Sequence, residues 1–319
     1  MKAHVRKLAL LLLSFVACGS SALAQHAGGM LPLSRVQRIL FLGNSITYAG
    51  GYISFFESHL ILANLRGHAE VINLGLPSET VSGLSEPDHA DGKFPRPWLF
   101  DRLPRILEKV RPDIVFVCYG MNDGIYLPFD EERFNSYRAG IERLQRELDA
   151  CGVRRVIFMT PPVHDDRDQG LDGYNLVLDA YSEWLLKQRE KRGWEVIDLH
   201  FPMRDYLIER RRTDSLFKLA EDGVHPGDEG HWLIAKTILA HFAEDIGNDV
   251  TLETYMRNHP SLAAIHELVQ QRQAMMKNAW LDDVGHDRPG MAKGLPIKEA
   301  RKKYRQIGKM IRKSVKCSK

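Results

Sequence analysis

Between residues 38 and 245, short apolar runs alternate with longer amphipathic segments, and this alternation restricts the fold more than any other feature. The run over residues 113–119 is β-branched, aromatic and nearly free of charge, as expected of a central parallel strand buried on both faces. Strands are predicted near residues 38–42, 71–74, 113–119, 154–159 and 194–198. Helices are predicted near residues 51–66, 98–110, 131–150, 172–192 and 229–245. The pattern predicts an α/β fold of three layers, with helices on both faces of a flavodoxin-like parallel five-stranded sheet.

A helical region follows the alternating pattern. Residues 261–280 are predicted to form a helix, residues 282–296 a linker and residues 296–318 a second helix. The apolar side chains of this second helix recur at helical spacing, while its remaining surface is basic. We therefore divide the chain after its first 24 residues into a main domain over residues 25–250 and a C-terminal helical extension over residues 251–319.

The first 24 residues have the composition of a signal peptide. Three basic residues precede an apolar stretch over residues 8–17, and residues 22–24 show the small-x-small pattern found before a cleavage site. The apolar stretch is too short to be a stable transmembrane anchor. The sequence therefore predicts a secreted or periplasmic protein, with lipoprotein anchoring through Cys18 as the less favoured alternative.

Charge is distributed unevenly along the chain. The net charge is +3, yet residues 293–319 carry eleven Lys or Arg and one acid, and residues 1–24 contribute +3, which leaves −10 for residues 25–292. The basic amphipathic helix could make peripheral contact with an anionic membrane or polysaccharide. Alternatively, it docks by its apolar stripe onto the acidic body, which we prefer because the opposite charges belong to one chain. Nucleic acid is not an expected partner of an exported protein.

Ser45 lies where a buried strand gives way to a helix. The apolar run over residues 38–42 is interrupted by Gly43-Asn44-Ser45, and helical periodicity resumes at Tyr52. Open α/β sheets place their ligands at the carboxyl ends of strands. The unpaired amides of the following helix can also stabilise an oxyanion. Taken alone, a serine at this position is more often a helix N-cap.

A serine nucleophile needs an adjacent base, and the base needs an orienting acid. Asp222 and His225 supply both within one turn, because the three-residue spacing lets the carboxylate reach Nδ1 while Nε2 faces outward. A predicted helix begins near Asp228, which leaves the histidine on a loop edge. Such a pair is weak evidence by itself, since it often only caps a helix.

Two further strands end in groups that can donate hydrogen bonds. Asn122 follows the strand over residues 113–119, and its side-chain amide can donate to developing negative charge. Gly75 follows the strand over residues 71–74, and its backbone N–H is expected to be unobstructed. A nucleophile, oxyanion donors, an acid and a base are thus predicted at one edge of the sheet.

These segments resemble the SGNH hydrolases, the GDSL-like esterases and lipases, whose four marker residues are Ser, Gly, Asn and His. The resemblance covers roughly residues 38–245. The matching blocks are Gly43-Asn44-Ser45, Asn73-Leu74-Gly75, Gly120-Met121-Asn122-Asp123 and Asp222-Gly223-Val224-His225-Pro226. Two positions depart from the family pattern. Asn44 stands where the first block usually has Asp, and Ser78 stands where the second block often has a further glycine.

The resemblance implies a serine ester hydrolase that needs no cofactor. Ser45 would attack the ester carbonyl, His225 would accept its proton, and Asp222 would hold the imidazole in the useful tautomer. The oxyanion would be held by the backbone N–H groups of Ser45 and Gly75 and by the side chain of Asn122. Activity is expected to rise with pH through the region of a histidine pKa, about 6.5 for an unperturbed imidazole.

Within the resembled family, the preferred activity is that of a carbohydrate O-acetylesterase acting on a small-molecule or polysaccharide ester. This preference rests on export, on the polar loops near the site and on the absence of an apolar lid in the sequence. A lipase or lysophospholipase is the alternative, supported by the basic amphipathic helix. Alternatives from other classes are a non-catalytic carbohydrate-binding module, which has no need for Ser45 and His225 together, and a phosphate-binding flavodoxin-like protein, which leaves Asp222 unexplained.

Weaker candidates surround the four blocks. Tyr48 and Tyr126 follow the first and third blocks, and His164 follows the strand over residues 154–159, so each is a candidate substrate contact. Asp123 is expected to stabilise loops through hydrogen bonds and not to react.

No metal ion is predicted. The histidines and cysteines lack zinc spacing, and the acidic run over residues 165–168 is expected to be a solvated loop and not a calcium site. The four cysteines do not form a disulfide framework, and a bridge between Cys118 and Cys151 is not expected.

Overall fold

The computed structural model describes residues 36–64, 69–165, 173–242 and 251–317. Within these ranges one sheet is formed by β1 (Arg38–Gly43), β2 (Glu70–Asn73), β3 (Ile114–Cys118), β4 (Arg155–Met159) and β5 (Glu195–Ile197). The strand order is β2-β1-β3-β4-β5, and every neighbouring pair is parallel. This order is flavodoxin-like and confirms the predicted α/β fold. The predicted signal peptide and Cys18 lie outside the described residues.

Helices connect and follow the strands. The helices of the main domain are α1 (Ser45–Ala49), α2 (Gly51–Leu62), α3 (Leu103–Val110), α4 (Glu131–Ala150), α5 (Asn175–Arg192), α6 (His200–Thr213) and α7 (Asp228–His241). The C-terminal region contains α8 (Leu252–Asn258), α9 (Pro260–Val284) and α10 (Ile297–Cys317). A short 3₁₀ turn, Leu99–Asp101, precedes α3.

The sheet is covered on both faces. All five residues of β3 are buried, as expected for a central parallel strand between two helical layers. On one face Phe116 stacks on Phe41 of β1 with ring centroids 4.5 Å apart and meets Phe56 of α2 edge-on. The register pairs Gly43 of β1 with Cys118 of β3, so the loops that follow these two strands emerge side by side.

Two helical features of the main domain differ from the sequence prediction, and α8 in the C-terminal region was not predicted either. Gly50 has a φ of 74° and ends α1 before α2 begins. The helix predicted over residues 51–66 is therefore preceded by a separate short helix. Helix α6 was not predicted, because its last turn is a polar run of Glu and Arg and its helical signal is weak. Only three of its residues, His200, Met203 and Leu207, are buried.

The C-terminal region is packed onto the main domain. Arg272 of α9 forms an ion pair of 2.8 Å with Glu57 of α2, and both side chains are at most 2% exposed. Gln273 donates to the same carboxylate at 2.7 Å and to the carbonyl of Val71 in β2 at 3.1 Å. Helix α9 therefore lies against both α2 and the edge strand β2.

The basic helix α10 lies along α9. Ile311 packs with Ile265 and Val269 of α9, and Ile307 and Val315 extend this apolar contact. The docked interpretation of the apolar stripe is thus confirmed. The basic side chains of α10 are exposed, except that of Arg301, whose guanidinium lies 5.2 Å from the ring centroid of Trp280.

Two further observations concern the membrane and the cysteines. Among the described residues, no helix combines the length and the apolar character needed to cross a bilayer. Cys118 is buried and Cys151 is exposed, and the two are not bridged.

Candidate active site

Ser45 is the first residue of α1 and is partly exposed. The preceding Asn44 caps the helix, because its Oδ1 accepts a hydrogen bond of 3.1 Å from the N–H of Ile46. Asn44 is 3% exposed. An uncharged amide therefore performs the capping at the position where the resembled family usually has aspartate. The N–H of Ser45 is among the helix-terminal amides that have no intrahelical acceptor.

The loop before α7 brings His225 to Ser45. The distance between His225 Nε2 and Ser45 Oγ is 2.7 Å, and the distance between His225 Nδ1 and Asp222 Oδ2 is 2.6 Å. The other oxygen of Asp222 accepts the N–H groups of Val224 at 2.9 Å and His225 at 2.8 Å. The side chains of His225 and Asp222 are 47% and 57% exposed, so this array lies open to solvent.

Hydrogen bonds fix the charge of Asp222. Partial burial alone would raise its pKa, but the imidazole of His225 and the two loop amides outweigh that effect and lower the pKa of Asp222 to about 2. The carboxylate is therefore ionised across the neutral range, and it can orient an imidazole whose other nitrogen accepts a proton from a hydroxyl.

Asn122 is placed by the loop after β3. Its Nδ2 donates to the carbonyl of Glu79 at 3.1 Å, and its Oδ1 accepts the hydroxyl of Tyr126 at 3.1 Å. The first contact fixes which end of the amide carries the NH₂ group, because a backbone carbonyl can only accept, and one of the two amide hydrogens is left for another acceptor. Gly120, which leads into this loop, has a φ of 126°, a conformation that favours glycine.

Gly75 corrects one sequence prediction. Its N–H was expected to be unobstructed, but it donates to Asn73 Oδ1 at 2.9 Å. An asparagine side chain commonly accepts from the amide two residues on, and Asn73 is held in place because its Nδ2 donates to the carbonyl of Thr47 at 2.7 Å. A Cβ atom at Gly75 would lie 2.3 Å from the backbone nitrogen of Tyr48. Glycine is thus required here for close approach to α1.

Ser78 explains the second departure from the family pattern. It has a φ of 67°, so this position needs the left-handed conformation in which glycine is most at ease. The serine itself adopts this conformation.

The three candidate substrate contacts lie in different surroundings. The ring of Tyr48 lies under the Lys277 ammonium at 3.5 Å, and its carbonyl accepts from the same Nζ at 2.7 Å. Tyr126 and His164 lie together, with ring centroids 6.0 Å apart. His164 is only 7% exposed, and its backbone is bound on both sides by the amide of Asn175.

A buried network supports the loop of Asn122, and sequence reasoning missed it. Arg102 pairs with Glu79 at 2.6 Å, with side chains 2% and 0% exposed, and it also donates to the carbonyl of Leu74 at 2.7 Å. Tyr119 donates its hydroxyl to Glu79 at 2.6 Å. Burial raises the pKa of Glu79 and the Arg102 guanidinium opposes that rise. No local pattern could reveal this network, because Glu79, Arg102 and Tyr119 come from three separate segments of the chain.

Asp123 holds the neighbouring loops, as predicted. It is fully buried, and its Oδ1 accepts the N–H groups of Val81 and Ser82 at 2.9 Å each. Its Oδ2 accepts the N–H of Gly120 at 2.9 Å.

Asp165 does not belong to a solvated loop, and that prediction is wrong for this residue. The residue is 2% exposed, and its carboxylate accepts the N–H of Leu219 at 2.7 Å and of Ala220 at 3.2 Å. Its own N–H donates to the carbonyl of Gly223 at 2.7 Å. Asp165 therefore fastens the loop that carries Asp222 and His225. The rest of the acidic run, residues 166–168, lies outside the described residues.

No metal centre is formed in the part of the chain that the structure describes, since no three histidine, cysteine or acidic side chains are grouped to hold an ion.

Comparisons with solved structures agree with this fold. A gut microbial diltiazem-metabolizing enzyme superposes with a TM-score of 0.53 at 22% identity, over 65% of this chain and 47% of that one. This chain thus spans about half of that enzyme's length. An acetylxylan esterase from Geobacillus stearothermophilus, solved as a catalytic mutant, gives a TM-score of 0.51 at 22% identity, over 68% and 96% of the two chains. Another acetyl xylan esterase gives 0.51 at 21% identity, over 64% and 98%. No curated protein matches the chain significantly.

The sheet order and the Ser45–His225–Asp222 array at its carboxyl edge define a flavodoxin-like α/β protein with a hydrolase-type site. The sequence model that describes the GDSL-like lipase/acylhydrolase family matches residues 41–233 of this chain. The chain belongs to this family, and it is thereby placed among the lipases and acylhydrolases, which hydrolyse esters.

Proposed function

We propose that the protein is an exported serine esterase that removes acetyl groups from carbohydrate through an acyl-enzyme. The observation that carries the proposal is the continuous pair of short contacts from Ser45 Oγ to His225 Nε2 at 2.7 Å and from His225 Nδ1 to Asp222 at 2.6 Å. A hydroxyl, an imidazole and an ionised carboxylate in this arrangement are the parts that nucleophilic acyl transfer requires.

In the first half of the reaction, Ser45 Oγ attacks the acetyl carbonyl while His225 takes the hydroxyl proton. The C–O bond to the sugar then breaks, and His225 returns the proton to the departing sugar oxygen. In the second half, His225 removes a proton from water, and the resulting hydroxide attacks the acyl carbon. The bond to Ser45 breaks, acetate leaves and the serine regains its proton.

Two donors are best supported for the oxyanion. The N–H of Ser45 lies at the helix terminus, and Asn122 has a spare amide hydrogen in an orientation held by Glu79 and Tyr126. Gly75 is the third proposed donor. Because its N–H already donates to Asn73, it would have to share that hydrogen with the oxyanion or release Asn73.

The carbohydrate assignment has two supports. Solved structures with the same fold include acetylxylan esterases, although this likeness bears on the fold and not directly on the substrate. The main support for the lipase alternative is also weakened, because the apolar stripe of α10 packs against α9 and is not presented to lipid. We therefore place the acetyl esterase ahead of the acylhydrolase that acts on long chains.

The deciding experiment compares wild type with Ser45→Ala on acetyl, butyryl and long-chain chromogenic esters and on acetylated oligosaccharides. Ser136→Ala is the matched control, since that serine bonds only along its own helix, to Glu132. We expect hydrolysis of acetyl esters that is lost in Ser45→Ala and retained in Ser136→Ala. An organophosphonate should label the wild type at Ser45. Full turnover by Ser45→Ala would overturn the proposal. A preference for long acyl chains would favour the lipase alternative over the acetylesterase.

The export part of the proposal rests on the composition of residues 1–24. It is tested by expressing the full chain and determining the N-terminus of the mature protein. Cleavage near residue 24 is expected. Recovery of intact chain from the cytoplasm would contradict export, and a lipid-modified Cys18 would establish the anchored form.

We also propose that α10 contacts an anionic polysaccharide. Eight of its basic side chains are exposed: Lys298, Lys302, Lys303, Arg305, Lys309, Arg312, Lys313 and Lys316. Since its apolar stripe packs against α9, the available surface offers charge but little apolar area for insertion into a bilayer. Binding of the full chain to an immobilised polyanion should weaken with salt. Reversing Lys309 and Lys313 to Glu should weaken it further, and unchanged binding would exclude α10 as the contact.

A further inference from the structure

A cavity of about 230 Å³ lies between the loop after β2, the start of α3 and the segment that follows α9. Phe94 and Trp98 line it from the loop, Arg102 from the turn before α3, and His286 and Asp287 from the segment after α9. The C-terminal extension therefore completes a cavity whose other walls belong to the main domain.

The cavity borders the residues that hold Asn122. Glu79, which also lines it, accepts the side-chain amide of Asn122 through its backbone carbonyl at 3.1 Å. Arg96 lines it as well, and its guanidinium lies 5.5 Å from the ring centroid of Tyr126. A group bound in the cavity would thus be separated from the proposed oxyanion donor by one layer of residues.

Two of the three arginines around the cavity are already paired. Arg102 pairs with Glu79 through two contacts of 2.6 and 2.7 Å, and Arg96 pairs with Glu86, which lies outside the lining, through two contacts of 2.6 Å. The other charged residues of the lining are Arg105, Asp101 and Asp287. With two of its three arginines neutralised, the cavity favours an uncharged ligand over an anion.

One buried donor in this wall lacks an acceptor. Arg102 is only 2% exposed. Its Nη1 atom is buried and has no hydrogen-bond partner in the described part of the chain. Buried polar groups are normally satisfied. This atom is shielded from the open space of the cavity, so a ligand hydroxyl would reach it only after a neighbouring side chain moved.

The apolar part of the wall has the complementary chemistry. Phe94 and Trp98 offer aromatic surface, and carboxylates and guanidinium groups stand beside it. A pyranose ring has C–H faces that pack on aromatic rings and hydroxyl edges that bond to such polar groups. Pockets for drug-sized ligands measure about 300–1,000 Å³, so the smaller volume here suits a single sugar ring.

We propose that this cavity is a glycosyl subsite that binds a neutral sugar ring in the alcohol part of the substrate, and that the C-terminal extension is thereby part of the substrate-binding machinery. The inference rests on the proposed esterase function and deepens it, since it names an uncharged oligosaccharide as the substrate class. Residues 286–287, which lie outside the four sequence blocks, would thereby take part in substrate binding.

The first test measures binding without turnover. Ser45→Ala is titrated calorimetrically with acetylated oligomers of xylose, mannose and N-acetylglucosamine, and with oligogalacturonate as an acidic comparison. At least one neutral oligomer should bind, and adding Phe94→Ala or Asp287→Asn should weaken that binding about tenfold (roughly 1.4 kcal/mol). Lys293→Ala, an exposed position further along the same segment, is the matched control and should change nothing.

The second test uses the active enzyme. The Phe94→Ala and Asp287→Asn variants should have a lower kcat/KM than wild type on the oligosaccharide that binds. Their kcat/KM on p-nitrophenyl acetate, which has no sugar, should equal that of wild type. An equal loss on both esters would indicate a structural effect and overturn the subsite. Unchanged oligosaccharide binding in both variants, no binding by any neutral oligomer, or oligogalacturonate binding that Phe94→Ala or Asp287→Asn weakens equally would also overturn it. Oligogalacturonate binding that only the reversal of Lys309 and Lys313 weakens belongs to α10. If nitrophenyl acetate alone were hydrolysed while neutral oligomers still bound, the carbohydrate esterase function would fail and the subsite would stand.

Discussion

Ser45 and His225 are separated by 180 positions in the chain, yet Ser45 Oγ and His225 Nε2 lie 2.7 Å apart. The serine is fixed by the turn between β1 and α1. The histidine is fixed by a loop that Asp165 fastens from the carboxyl end of β4. The contact thus depends on the sheet order, which brings the ends of different strands to one edge.

Asn122→Ala should lower kcat by about 10²–10³-fold, because one preorganised oxyanion donor is lost. Ser45→Ala should cost more, since the nucleophile, base and acid act as a unit. The check is kcat on an acetyl ester for both variants, with circular dichroism to verify folding. A loss of less than threefold in Asn122→Ala would remove this residue from the oxyanion site.

Tyr126→Phe should lower kcat on acetyl and butyryl esters by the same factor. The hydroxyl orients the Asn122 amide, and a hydrogen bond of this kind contributes about 0.5–1.5 kcal/mol, which corresponds to roughly two- to tenfold in rate. The ratio of the two activities is the informative measurement. A changed ratio would show instead that Tyr126 contacts the acyl group, as the sequence suggested.

Asp222→Asn should reduce kcat by about 10³–10⁴-fold, because the amide cannot stabilise the imidazolium or enforce its tautomer. The low pKa of Asp222, about 2, also makes a prediction for wild type. Its carboxylate stays ionised between pH 4 and 8, so the decline of kcat/KM toward acid in that range should follow a single titration. Two resolved acid-side titrations in the pH–rate profile would contradict this assignment.

Glu57→Gln should lower the free energy of unfolding by about 3–5 kcal/mol, because Arg272 of the C-terminal extension would be left as a buried charge without its partner. Replacing both residues with Met should cost less. The measurement is urea unfolding, with Glu183→Gln as the control. Glu183 pairs with Lys187 at the surface, where the loss should be at most about 1 kcal/mol. Equal losses in Glu57→Gln and Glu183→Gln would show that α9 is not fastened by this pair.

Lys277→Met should change how stability depends on pH. Burial lowers the pKa of Lys277 from 10.5 to about 8, so between these values the unfolded chain binds more protons than the folded one. The free energy of unfolding therefore rises with pH in this window, by about 3 kcal/mol at most. Urea unfolding at pH 7.5, 8.5 and 9.5 should show a shallower rise in Lys277→Met than in wild type. Lys293→Met should behave as wild type, and parallel curves for all three proteins would refute the prediction.

Several features of the site followed from the sequence. The sequence blocks located Ser45 and the pair Asp222 and His225, which the fold brings together, because each depends on a short local pattern. Two further features are also local. Asn44 caps α1 with its own side-chain oxygen, and Ser78 adopts a positive φ, so each depends on the residue at that position.

What the sequence alone determined is thus the alternation of elements, the parallel sheet and the identity of the polar groups at its carboxyl edge, since these depend on neighbours within a few residues. Tertiary structure decided which distant groups meet. It paired Glu79 with Arg102, turned the Gly75 amide toward Asn73 and joined residues 286–287 to the loop after β2. Buried charges and shared cavities are satisfied by partners from any part of the chain, and only the packed fold specifies which partner that is.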